Sequence, residues 1–150
     1  MEILKHETKY IFRVITINLI IAILIMLILI DFDFTSLLEF FIDFSLNFLI
    51  GITGLYATGY VIGQNLYKFK RNKYTVAHGI LSIFGVLFLG TLLGATVGFI
   101  QEGLPNGNEY CLKDELFDYF AKPLFLIFLF GFFPTLISGI LLGIRLRKDL

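Results

Sequence analysis

Glu39 and Asp43 are the two side chains of this sequence best placed to do chemistry. They stand four residues apart and so share one helical face, which Asn47, Gly51, Gly54 and Thr58 continue at intervals of three and four. An acidic pair at the head of such a row would attract a cation or a basic peptide. Tyr56 and Tyr60 lie one turn apart on the same segment, and their hydroxyls must find helix partners or line an aqueous cavity. Glu39, Asp43, Asn47, Tyr56, Thr58 and Tyr60 therefore make a candidate polar path with an outer mouth. The plainer reading of the same residues is a solvated helix end joined to a packing face.

Other reactive side chains do not assemble. His6 and His78 have no second ligand at metal spacing, and Cys111 is the only cysteine, so neither a metal centre nor an internal disulfide is expected. Ser82 follows His78 by one turn and could accept its hydrogen bond, but no acid stands nearby to orient a dyad and no oxyanion donor accompanies it. The sequence predicts no enzyme, no cofactor and no basic face for nucleic acid.

These residues sit between four charge-free apolar runs, Val14–Ile30, Phe44–Tyr67, Tyr74–Gln101 and Pro123–Ile144. Each is long enough for a helix to cross roughly 30 Å of hydrocarbon at about 1.5 Å per residue. With 57% hydrophobic residues, a soluble reading would need four helices apolar on every side, more than so small a domain can bury. The expected fold is all-α: one integral membrane four-helix bundle over residues 1–150, with spans at about 11–30, 44–66, 75–100 and 123–144. The first run is too long for a signal-peptide core and no small-residue cleavage site follows it, so it is read as a span.

Charge sorts by segment. Ten of twelve Lys and Arg lie in the amino-terminal segment, the 68–73 connection and the tail, whereas the first and third connections hold nine of twelve Asp and Glu. The positive-inside rule then places both termini and the 68–73 connection in the cytoplasm of a cell, read as bacterial. Lys68, Lys70, Arg71 and Lys73 form a basic loop able to dock on anionic headgroups at roughly 1 kcal/mol per charge. Tyr10, Tyr67 and Tyr74 fall at the same interface as aromatic anchors.

Glycine spacing predicts the packing. Gly51, Gly54, Gly59 and Gly63 mark the second span, Gly90, Gly94 and Gly98 the third, and Gly139 and Gly143 the fourth. Glycines four apart let helix axes close and gain dispersion contacts that lipid cannot supply. The expectation is a tight outer contact between helices two and three and a tight inner contact between two and four. The first span, with Ala22 its one small apolar residue, is expected at the periphery, and Asn18 should bond a neighbouring helix or a carbonyl.

Three local features complete the reading. Ser36 and Glu39 have capping-box spacing at the start of a second helix that runs on through Asp43. Gly131 and Pro134 form a hinge in the fourth span, where proline should kink the helix. Leu112, Leu116, Phe117 and Phe120, opposed by Lys113, Asp114, Glu115 and Asp118, make a short amphipathic helix in the third connection.

No charge occupies the middle of a span. Small multidrug antiporters also have four helices but depend on a carboxylate in the first, which this chain lacks. The function expected is therefore a non-enzymatic accessory, regulatory or immunity-type partner of another membrane component. Its contacts would be membrane lipids and either a membrane protein or a second copy of itself. The alternative is a small oligomeric channel or transporter for an ion or small solute.

Overall fold

The computed structural model describes residues 5–69, 74–102 and 112–148, and among them it contains helices and no strand. The helices are α1 (His6–Leu29), α2 (Phe34–Asp43), α3 (Ser45–Phe69), α4 (Val76–Glu102), α5 (Leu112–Leu116) and α6 (Lys122–Lys148). A π-helical turn, Phe117–Ala121, joins α5 to α6. Four helices are long and apolar enough to cross a membrane: His6–Leu29, Ser45–Tyr67, Val76–Gln101 and the composite Leu112–Lys148. The protein is an all-α four-helix bundle of the membrane type.

The spans form an up-down ring in which α1 packs on α3, α3 on α4, α4 on α6 and α6 back on α1. We call the end bearing residues 5, 69, 74 and 148 the terminal end. The core lies toward it: Ile11, Ile15, Leu66, Tyr74, Ile83, Val86, Leu142 and Leu146 are all buried. Ile17, Ile20, Leu24 and Ile28 of α1 and Phe125, Leu129, Phe133, Ile137 and Leu141 of α6 face outward, as hydrocarbon solvent requires.

Backbones meet most closely between α4 and α6. A Cβ on Gly79 would strike the Gly139 carbonyl oxygen and the Gly143 backbone. One on Gly139 would lie 2.8 Å from Ile80 Cα, and one on Gly143 2.7 Å from Val76 Cα. The inner contact of helix four is thus with helix three, not with helix two. Gly59 and Gly63 of α3 receive α1 instead: a Cβ on Gly59 would lie 2.6 Å from Ile15 Cδ1, and one on Gly63 2.8 Å from Thr8 Cα.

That pairing corrects the placement of the first span. Its opening turns bury one face in the bundle, with Thr8 and Ile11 fully buried, whereas no residue from Thr16 to Leu29 is buried. A helix without small residues can still pack closely when its partner supplies the glycines. Toward the other end α3 and α4 stay together, with Gly94 beside Gly51, Gly90 over Leu55 and Gly54 over Leu93. Gly98 faces Tyr119 and Asn47.

The second helix starts earlier than its capping box suggests. Asp33 is the N-cap, accepting from the Thr35 and Ser36 amides at 2.9 and 3.3 Å and from the Ser36 hydroxyl at 2.6 Å. The Ser36 hydroxyl, then the two amides, hold the Asp33 carboxyl below the usual carboxylate range. The connection before it carries Asp31 and Phe32 at φ 52° and 60°, and the Phe32 amide closes α1 by donating to Leu27 O at 2.8 Å. Left-handed backbone at two non-glycine residues makes this a rigid, strained corner.

The same helix also breaks, at Phe44, into α2 and α3. Phe40 packs its ring on Phe44 (5.0 Å) and Phe48 (5.4 Å), and Phe41 on Phe48 (4.7 Å), so the break is clasped by aromatic contacts. In α2 the polar Thr35, Ser36, Glu39 and Asp43 are opposed by exposed Phe34, Leu38 and Ile42. At ten residues it is too short to span and has the form of an interfacial helix.

The short amphipathic helix of the third connection is present as α5, but it is not detached. Pro123 would crowd the carbonyl of Tyr119, and widening the chain there into a π turn relieves that clash. The helix then runs unbroken from Leu112 to Lys148, and Pro134 is carried inside it. Its 37 residues reach about 55 Å at 1.5 Å per residue, so its first turns extend beyond the hydrocarbon.

The glycine contacts separate into two classes that alanine scanning distinguishes. Gly79→Ala drives a methyl into immovable backbone and should cost about 1–3 kcal/mol. A Cβ on Gly94 meets Gly51 Cα at an ordinary 3.5 Å, so Gly94→Ala should be neutral or, through helix propensity, stabilising. Thermal unfolding of both variants in one detergent measures the difference, and equal losses would refute this packing.

Candidate functional site

The six residues of the expected polar path go to separate places. Glu39 and Asp43 are exposed on α2, cut off from α3 by the break at Phe44. Asn47 turns toward Gly98 of α4, where its Oδ1 is enclosed and has no partner among the described residues. The Thr58 hydroxyl donates to Gly54 O at 2.5 Å. Tyr56 faces α1, its hydroxyl 2.7 Å from Thr16 Oγ1 and its ring edge-on to Phe12 at 5.2 Å. Thr16 already donates to Phe12 O, which leaves Tyr56 as the donor to Thr16. Tyr60 points outward, 40% exposed. No lumen collects them.

The histidine reading also changes. His78 Nδ1 accepts from the Thr75 amide (3.2 Å) and hydroxyl (2.6 Å), while Ser82 donates to the His78 carbonyl rather than to its ring. No group of three His, Cys, Asp or Glu suited to a metal occurs among the described residues. Lys70, Arg71, Lys73 and Cys111 lie outside the described residues, as does the side chain of Lys68.

A buried polar cluster at the terminal end went unread in the sequence. Glu7 and Tyr74 are each 3% exposed, beside fully buried Thr8. The Tyr74 hydroxyl donates to Leu66 O at 2.7 Å, with Glu7 Oε1 3.4 Å away. Tyr74 is thus a strut from the start of α4 to α3 and α1, not an anchor in lipid. Burial pushes its phenol up to about 12, with the Glu7 carboxylate adding to the shift. Around this cluster cations lie over aromatic faces: Lys5 Nζ is 3.8 Å from the Tyr67 ring centre and the Arg145 guanidinium 4.9 Å from that of Tyr10.

An apolar recess lies elsewhere. An apolar cleft of about 330 Å³ opens between α1, α4 and α6, with Leu55 of α3 at its back. Ala22 and Ile25 of α1, Val86 and Leu87 of α4, and Phe130 and Pro134 of α6 line it. Asn18 and Thr135 are its two polar lining residues. Asn18 Nδ2 donates to Val14 O at 3.0 Å, and its Oδ1 lies 3.4 Å from the Ser138 hydroxyl, tying α1 to α6. Gly131, expected as a hinge, lines the cleft, and a Cβ there would come no closer than 3.8 Å to Leu87. α1 and α6 pack together at the terminal end through Ile11, Ile15, Leu142 and Leu146, and the cleft lies between them from Ile15 toward the other end. Spacing in the sequence carries no sign of such a gap, which is an absence of contact.

The Tyr74 strut has an alkaline signature. Its phenol is neutral in the fold until about pH 12 but ionises near 10 when the chain unfolds, so its contribution is intact below pH 10 and fades between 10 and 12. Spectroscopic titration should include a late step from Tyr74. Tyr74→Phe should remove that step and, by losing a buried hydrogen bond, cost about 1 kcal/mol. A titration unchanged by the substitution would contradict the strut. Comparison with protein-family models, with curated proteins and with solved structures finds no match to this chain.

Proposed function

We propose that this protein is a non-enzymatic component of the cell membrane that acts by associating with another membrane component. One observation carries the reading: five hydroxyls within the spans bond to their own helices. Thr53 donates to Leu49 O, Thr58 to Gly54 O, Ser82 to His78 O, Thr91 to Leu87 O and Thr96 to Leu92 O, each at 2.5–2.7 Å. A hydroxyl that donates to the carbonyl four residues back has spent its one proton and keeps only its lone pairs for a solute. The interior of one copy is therefore suited to packing rather than conduction, and its outward faces are apolar along whole helices. Its orientation in this proposal follows the charges, with the terminal end and its ten cations in the cytoplasm.

Two measurements test the proposal. Reporter enzymes fused after Asn72 and after Gly107 should be active in opposite compartments, and activity in the same one would overturn the orientation. Crosslinking from Cys111 in native membranes should trap one dominant protein partner. Ion or solute flux through the purified chain in liposomes, or crosslinks to lipid alone, would overturn the associative role.

A further inference from the structure

The cleft between α1, α4 and α6 is too apolar to be wet and too narrow for a helix. A buried water needs two to four polar partners, whereas the amide of Asn18 is already committed to Val14 and Ser138. A transmembrane helix is about 10–12 Å across with its side chains, and about 330 Å³ cannot receive one. That volume instead falls at the small end of ordinary ligand pockets, at roughly 300–1,000 Å³. Left empty, the lining would forfeit the dispersion contacts that hold helices together in lipid.

Length and position narrow the occupant further. On α6 the lining runs from Leu126 to Thr135, about 14 Å at 1.5 Å per residue and close to half of a 30 Å hydrocarbon slab. On α1 it runs from Ile15 to Leu29, ending where α1 meets the acidic first connection. On α1 that is about 21 Å, so the cleft reaches from the core residues Ile15, Ile83 and Val86 to the end opposite the termini, somewhat more than the depth of one leaflet. It is open to the surrounding lipid, since Leu29, Leu126 and Phe130 in its lining are 60%, 50% and 44% exposed. Asp31 and Asp33 are exposed just past Leu29, while Lys122, one turn before Leu126 on α6, is paired with Asp118, so the rim is acidic on balance and favours a headgroup that carries a cation over an anionic one.

We propose that this cleft is a binding site for one acyl chain of a zwitterionic phospholipid from the leaflet at the acidic end. The chain completes the bundle where α1 and α6 part, whether or not a protein partner is also bound. The site requires no change in the described helices, since the cleft already lies open along its length.

The chain contains no tryptophan, so a single reporter can be introduced. Phe130→Trp places an indole in the cleft lining, and Phe133→Trp places one on the lipid face of the same helix, where Phe133 is 69% exposed. Both variants of the full chain are reconstituted in phosphatidylcholine vesicles of increasing brominated-chain content. Quenching at Phe130→Trp should follow the mole fraction as for one neighbouring chain, while Phe133→Trp follows the steeper law of several exchanging neighbours. Adding Ala22→Phe, which fills the cleft, should lower quenching at the first reporter to what its exposed edge receives from the surrounding lipid and leave the second unchanged. If that filled variant does not fold, the comparison of the two reporters alone decides. An unquenched Phe130→Trp, or identical curves for both reporters, would overturn the site, and equal quenching by brominated phosphatidylglycerol would overturn the headgroup assignment.

Discussion

Direct backbone contact between α4 and α6 is the constraint on which the rest of this structure depends. In hydrocarbon there is no gain from burying apolar side chains, so helices associate only where surfaces fit closely enough for dispersion and polar contacts to favour each other over lipid. Gly79, Gly139 and Gly143 present no side chain at that seam and let the backbones of Val76 and Ile80 approach the opposing helix. The seam fixes the terminal end of α6. Leu142 and Leu146 can then be buried with Ile11 and Ile15 of α1, and Gly59 and Gly63 of α3 receive α1 from the other side. The ring is thus closed by glycine on two of its sides at one end.

The opposite end follows by default. α3 and α4 remain together through Gly51, Gly90 and Gly94, but α1 and α6 present branched and aromatic side chains to each other and share no glycine pair. The Asn18 to Ser138 contact ties them midway, and toward the opposite end the cleft lies between them. Cleft, corner and interfacial helix all belong to that looser end. The strained turn at Asp31 and Phe32 sends the chain sharply from α1 into α2, whose apolar face is left for the lipid interface.

The spans were legible in the sequence because a charge-free run must be long enough to cross hydrocarbon, and the four runs map onto the four long helices. Their ends were less so: α1 starts at His6, since Glu7, Lys9 and Arg13 do not interrupt a helix, and α6 is preceded by a π turn and α5 in one continuous rod. Contact partners were legible only in part. Gly51 and Gly94 do face each other, whereas Gly139 and Gly143 meet α4 through Gly79, an isolated glycine with no spacing pattern to single it out. The acidic stripe was misleading for a physical reason: helical spacing predicts a common face only while the helix continues, and the break at Phe44 separates Glu39 and Asp43 from Asn47. Glu7 was passed over because a carboxylate near a basic terminus reads as solvated, yet Tyr74 encloses it from a residue 67 positions away.

The central claim is a bundle sealed at the terminal end and parted between α1 and α6 at the other. Distances between paired spin labels measure this directly in the reconstituted protein, in a background where Cys111 is replaced by serine. Labels at Arg13 and Arg145 report the terminal end, and labels at Leu29 and Leu126 the opposite end. The structure predicts a clearly shorter separation for the first pair than for the second. Equal separations, with α1 and α6 parallel along their whole length, would contradict it.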